Sequence, residues 1–252
     1  MNTRNNHSRV SRLTGLALVS LPLWFYGAAQ ATELNHDLAP FNLTYAVGNN
    51  MISAGNATVT LVQQEDRWTY SLKTSPSGVV KLIGKGKIDE ISHFKLADID
   101  GVPTLRTDTY SYRQDKEAKR SVDAQFNWAD NELTFQYRGE ETTESFSEPV
   151  VDRLAVTLLI IDQLKNDDFK QVEYQVFDKG RVKSVLFANE GTETIETGMG
   201  AIETIRVRSN TSGGSTRHTY TWFAPSLNFI PVKIENYKRD DLVARLTLTQ
   251  SN

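Results

Sequence analysis

The sequence predicts a mainly β protein: an antiparallel, strongly curved sheet or open barrel of about thirteen strands with one buried central helix. Three observations carry this. From Phe41 onward apolar residues recur at a period of two, clusters of Gly, Asn and Asp punctuate the runs, and only Ser147 to Lys165 reads as a long helical segment. A single open sheet of that size curls, splits or closes.

The first 31 residues have the layout of a secretory leader and are set aside from the fold. Arg4, Arg9 and Arg12 form a basic start, Leu13 to Gly27 an apolar core, and Ala29-Gln30-Ala31 a small-x-small cleavage site. The mature chain, residues 32–252, is read as one β-rich domain, with strand lobes at about 38–146 and 169–250 around a helix at about 149–165.

In the first lobe Phe41, Leu43 and Tyr45 alternate with small or polar residues, followed by Ala57, Val59 and Leu61 and then Trp68, Tyr70 and Leu72. Gly48-Asn49-Asn50 and Gln64-Glu65-Asp66 turn the chain between them, which describes an opening meander. Val79 to Ile83 is apolar on both faces and reads as a buried strand or an exposed apolar tip. Strands are expected at Lys87 to Ile91, Thr104 to Tyr112, Val122 to Trp128 and Leu133 to Tyr137, with Arg113 to Arg120 as a solvated hairpin end.

In the helical segment Pro149 suits the first helical position, Asp152 the first turn and Lys165 the last. Leu154, Leu158, Ile161 and their apolar neighbours point in nearly every direction, so the helix is expected to be covered on most sides. It is too short to span a bilayer, which takes about 20 apolar residues. Strands then resume at Val172 to Val176 and Val182 to Phe187, Asn189-Glu190-Gly191 turns the chain into a short strand before Gly198-Met199-Gly200, and strands follow at Ile202 to Val207, Thr219 to Phe223, Val232 to Tyr237 and Ala244 to Leu248. Their polar sides carry Thr, Glu, Lys and Arg, which favours antiparallel hairpins with one wet face.

Composition narrows the function classes. The formal charge of −3 falls by three further units when the arginines of the leader are removed, which makes nucleic acid and anionic lipid surfaces poor partners for the protein as a whole. There is no cysteine, so disulfides, thiol catalysis and iron–sulfur sites are excluded. His36, His93 and His218 lack paired metal-ligand spacing, and Asp98-Ile99-Asp100-Gly101 lacks the later acidic ligand of a calcium loop. Ser215 follows two glycines without a nucleophile elbow, and Gly78 with Gly84-Lys85 misses the spacing of a phosphate loop. No cofactor is expected, and no catalytic residue is assigned.

Trp222-Phe223-Ala224-Pro225 and Pro231-Val232-Lys233-Ile234, preceded by Phe41, Tyr45, Phe126-Asn127-Trp128, Asp152, Leu154, Gly200 and Thr204, make the chain resemble the bacterial exported family called domain of unknown function 3108. The resemblance covers nearly the whole mature chain. Asn127 and Val151 depart from the acidic residue and the Gln usual at those places. The family implies an exported, β-rich protein without an established activity. A looser likeness of architecture links it to half-barrel carriers that shuttle lipoproteins across the periplasm, where helices cover an apolar concave sheet.

The expectation is a periplasmic, non-enzymatic protein that binds a lipid, a lipidated polypeptide or another apolar or amphipathic envelope component. Leu154, Leu158, Ile161, Trp128 and Trp222 are the candidate lining of an apolar groove under the helix. Asp152 is a helix cap or a polar site residue. The alternatives are an interaction module in envelope or cell-wall assembly, using an exposed sheet edge or an apolar tip, and a hydrolase of envelope polymers with acids converging near Asp152 or His218. Expressed with its leader in a bacterial host, the exported chain should begin at Thr32, which N-terminal sequencing checks directly.

Overall fold

A computed structural model of the chain describes residues 32–78, 86–211 and 215–251. The leader and the Val79 to Ile83 run therefore lie outside the described residues. The first half is a meander: β1 (Phe41–Gly48), β2 (Ser53–Gln64), β3 (Arg67–Pro76), β4 (Ile88–Ile99), β5 (Val102–Gln114), β6 (Val122–Asn127), β7 (Glu132–Tyr137) and β8 (Glu140–Ser145). A short strand, β9 (Val150–Asp152), leads into the helix α1 (Val156–Leu164). The second meander is β10 (Gln171–Phe177), β11 (Val182–Thr197), β12 (Gly200–Thr211), β13 (Arg217–Ala224), β14 (Ile230–Lys238) and β15 (Asp241–Ser251).

All fifteen strands belong to one sheet in the order β8-β7-β6-β5-β4-β3-β2-β1-β15-β14-β13-β12-β11-β10-β9. The first and last strands thus pair at its centre, Tyr45 opposite Leu248, and β8 and β9 are its unjoined edges. The sheet curls until those ends approach, because Ser92 on β4 and Thr107 on β5 donate hydrogen bonds to Asp152 on β9, at 2.6 and 2.8 Å. Phe177 of β10 is fully buried among Tyr110, Phe126 and Phe135, with ring centroids 5.1 to 6.1 Å away, and closes the interior across the seam.

Alternation dictates which residues enter that interior. On β6 Val122, Ala124 and Phe126 are buried and the residues between them exposed, the period-two signature of a strand with one wet face. Leu43 and Tyr45, then Ala57, Val59 and Leu61, behave alike, and the Tyr45 hydroxyl donates to the Pro231 carbonyl at 2.7 Å. Helix α1 runs through the middle with Leu158, Leu159, Ile160, Ile161 and Leu164 all buried. At one end of the barrel Asp162 of α1 accepts hydrogen bonds from the backbone N–H groups of Asn35 and His36 at 2.8 to 3.1 Å, strapping the N-terminal segment across the opening. Leu34, Leu164 and Phe169 fill the space beneath it.

Four expectations are corrected. The sheet has fifteen strands instead of about thirteen, because Glu140–Ser145 and Val150–Asp152 pair as β8 and β9. It is mixed, since β9 pairs parallel to β10, Gln175 opposite Val150, with α1 as the crossover. The helix starts at Val156, not near Pro149: the β-branched Val150 and Val151 extend against β10, and Asp152 ends the strand. Asn189-Glu190-Gly191 is a bulge inside the single long strand β11, not a turn between two strands.

Asp152 holds the start of this helical segment. Its carboxylate accepts the N–H groups of Leu154 and Ala155 at 2.9 and 3.0 Å besides the two hydroxyls. Replacing Asp152 by Ala should lower stability by about 2–4 kcal/mol, since it orphans donors in a buried place. Asp152→Asn should cost less, because one amide oxygen still accepts both N–H groups. Thermal unfolding of the two variants decides it, and equal losses would point to the charge instead of the hydrogen bonds.

Candidate functional site

Inside the second meander the interior is incompletely filled. Strands β11 to β15 are mostly half-buried, where the first meander alternates cleanly. The reason is compositional: at inward positions β12 carries Ser209 and Thr211 beyond Val207, and β13 carries Thr219 and Thr221 before Phe223. Short hydroxyl side chains do not reach α1. A half-open cavity of about 360 Å³ results, between the first turns of α1 and the concave face of β10 to β14.

Its apolar wall is built from Leu154, Val156 and Ile160 of the helical segment facing Val185, Phe187 and Ile234. Opposite lie the Ser209, Thr211 and Thr221 hydroxyls and Asn236, whose amide oxygen accepts the Thr219 hydroxyl at 2.9 Å. Four charged side chains, Glu90, Arg153, Asp178 and Lys183, complete the lining.

Those charges form one network. Arg153 grips the buried Glu90 through two nitrogens, Nε at 2.7 Å, and Glu90 also accepts the Tyr110 hydroxyl at 2.9 Å. The guanidinium lies 5.2 Å from the centre of the Tyr112 ring and 3.7 Å from Asp178. Lys183 closes on the other Asp178 oxygen at 2.8 Å. Burial raises the Tyr110 hydroxyl far above its ordinary range, and Glu90 raises it further. Burial would also raise Asp178, but Arg153, Lys179 and Lys183 outweigh it and hold this carboxyl below its usual value. Asp152, in contrast, is raised by burial against the pull of its four hydrogen bonds.

The residues singled out in the sequence are only partly brought together. Leu154 lines the cavity. Leu158 and Ile161 are packed in the core below it, at 1% and 7% exposure, because they lie on faces of α1 turned away from the second meander's concave side. Trp128 lies elsewhere, donating to the Thr107 carbonyl at 2.8 Å between Phe126 and Phe146. Trp222, of opposite strand parity to Thr221, does not line the cavity: it is buried at 4% exposure, donating to Glu193 at 2.7 Å with Lys233 Nζ 3.7 Å from its ring centre. Asp152 is completely buried, its carboxylate taken up by the turn that precedes α1, and does not reach the cavity lining. His36 contacts Asp162, His93 contacts Thr69 and His218 stacks on Tyr237. Among the described residues no group of three or more His, Asp or Glu side chains is placed to hold a metal ion.

The network and the hydroxyl wall were missed in the sequence, although a signal existed. Glu90 and Ser92 share the inward phase of Phe94 on β4, and polar residues in an apolar phase mark a wall that is not solid core.

Comparison with known proteins fits this architecture. The family described as protein of unknown function (DUF3108) matches residues 40–247. The chain belongs to that family. A β-barrel-like protein of domain of unknown function DUF1849 from Brucella abortus shares the fold of this DUF3108 chain, with a TM-score of 0.55 at 13% identity, covering 85% of this chain and 98% of that one. A protein with a YmcC-like fold from Bacteroides fragilis aligns over 88% of this chain and 99% of its own at 14% identity, with a TM-score of only 0.37. A search of curated proteins finds no significant match.

The depressed Asp178 carboxyl makes a prediction with a definite sign. Its ion pairs stabilise the fold above the ordinary aspartate pKa of about 3.9, and that contribution is lost as pH falls through the lower folded value. Asp178→Asn should therefore cost about 1–3 kcal/mol at neutral pH, with the gap from wild type closing below about pH 3 in urea unfolding. An equal gap at both pH values would mean that the aspartate acts through packing alone.

Proposed function

We propose that this chain is an exported, non-enzymatic binding protein of the periplasm whose cavity takes an amphipathic molecule, an acyl chain with a polar end. The observation that carries it is the two-sided lining: the helical segment offers Leu154, Val156 and Ile160 to a chain, while hydroxyls and Asn236 offer hydrogen bonds to its end. The volume falls in the range of about 300–1,000 Å³ common to small-molecule sites. Each methylene removed from water contributes about 0.8 kcal/mol, so even a partly inserted chain gains several-fold affinity over a polar ligand.

The charged groups support binding over catalysis. Glu90 is saturated by Arg153 and Tyr110, and Asp178 is held ionised between Arg153 and Lys183. Both carboxylates are engaged by cations, and neither accepts a hydrogen bond from a Ser or Thr hydroxyl, the pairing that an activated nucleophile in a hydrolase of envelope polymers uses. The leader-like first 31 residues support export, and the family match supports the family alone.

Two measurements test this. Protein purified gently from the periplasm should carry an extra mass in native mass spectrometry that disappears after denaturation, stripping and refolding. The stripped protein should bind the fluorescent polyene fatty acid cis-parinaric acid; Thr221→Trp, which fills the cavity, should weaken that binding at least about tenfold, while Thr221→Val should change it little. A clean mass in both preparations together with no probe binding would reject the proposal.

A further inference from the structure

The two ends of the barrel differ in charge, and the cavity lies toward one of them. The cavity residues Asp178, Thr211, Thr219 and Asn236 all sit next to the turns of one end, where β10 meets β11, β12 meets β13 and β14 meets β15. The β1–β2 and β5–β6 connections and the start of β4 lie at this same end, since Gly48 pairs with Arg245 and Ile88 with Gln114. Here stand Lys87, Lys119, Arg181, Arg217, Lys238 and Arg239, all exposed. Asp115, Glu117, Glu140, Asp178, Asp240 and Asp241 stand among them, but with Lys116, Arg120, Arg138 and Lys179 added the balance among the described residues of this end is basic. The turns of the strapped end carry Glu65, Asp66, Asp98, Asp100 and Asp130 instead. An acidic protein thus presents a basic face at the end nearer its cavity.

An exposed apolar tip belongs to the same end. Met51 is 86% exposed, the most exposed large apolar side chain of the described residues, with Ile52 beside it at 43%. Val243 of the neighbouring β15 is 48% exposed. The tip is built, not loose: the Asn49 side-chain oxygen accepts the N–H groups of both Met51 and Ile52 at 2.9 Å, and the Asn49 N–H donates to the Ile52 carbonyl at 3.0 Å. Arg245 ties Asn50 to β15 at 3.2 Å. Two adjacent apolar side chains held out on an ordered turn offer apolar area that a partner would gain by covering. Other exposed apolar residues, Val62, Ile99 and Met199, stand singly on separate strands and turns and lack the basic surroundings.

We infer that this end docks on an anionic phospholipid bilayer, with Met51, Ile52 and Val243 entering the interface and the basic turns lying against the headgroups. A rigid apolar tip suits a bilayer, which has no fixed shape to match, and basic side chains near an anionic surface each add attraction that salt screens. The charge difference between the ends orients the approach, repelling the strapped end. The surface stands on charge and exposure and does not depend on what the cavity holds. If the cavity takes an acyl chain, docking sets its mouth over the membrane that supplies it.

Co-sedimentation with vesicles tests this. The stripped mature protein should pellet with vesicles of equal parts phosphatidylcholine and phosphatidylglycerol, stay in solution with phosphatidylcholine alone, and be released by added salt. The triple variant Arg181→Glu, Arg217→Glu, Lys238→Glu should bind the anionic vesicles at least about tenfold less well, and Met51→Asp, Ile52→Asp should also lose binding. All these positions are exposed, so unchanged thermal unfolding confirms that the variants fold. Thr221→Trp separates the two proposals: it should lose cis-parinaric acid and keep the vesicles. No sedimentation of wild type, equal binding to both vesicle types, or full binding by the Met51→Asp, Ile52→Asp variant would overturn the inference.

Discussion

Two adjacent residues, Asp152 and Arg153, tie the two halves of the curled sheet together. The edges β8 and β9 do not pair, so no backbone ladder closes the sheet, and closure falls to side chains. Asp152 gathers β4, β5 and the start of the helical segment on one carboxylate, and Arg153 joins Glu90 of β4 to Asp178 after β10. An unpaired charge in such a place would be costly, and here every charge has its partners. The helix, the seam and the cavity wall all take their positions from this dipeptide.

The interior that results is divided. Large side chains interlock around Phe177 across the seam and, toward the strapped end, Leu164 and Phe169 are buried; beneath the second meander Ser209, Thr211, Thr219 and Thr221 take inward positions where Val or Leu would have packed. Filling that space with apolar side chains would add stability, so its emptiness is the kind of local concession that functional sites make.

Much of the fold was legible because strands with one buried face write a period of two into the chain. β1, β2, β3 and β6 fall where alternation put them. β8 was not, because Glu140 to Ser145 contains no apolar residue: as an edge strand held only by β7, it has no inner face to declare, and its glutamates guard the edge. β9 was hidden because Val150 and Val151 fit the apolar pattern of a helix as well as a strand, and only pairing with β10 decides between them. Trp222 was placed in the groove through parity, which a sequence leaves open by one residue when both phases contain aromatic side chains. The phase of Glu90 on β4 was a legible hint, but its partner was not: Glu90 and Arg153 lie far apart in the chain, and only the curl of the sheet brings them together.

The pairing of β1 with β15 carries a further consequence. Thr44 opposes Gln250 across the whole length of the chain, so the contact order is high and the central ladder of the sheet cannot form until the last strand is available. A chain that emerges from its N-terminus first must keep β1 unpaired on one side throughout. Such a chain folds late, stays open to threading through a narrow channel, and exposes an unsatisfied strand edge that a chaperone would have reason to hold.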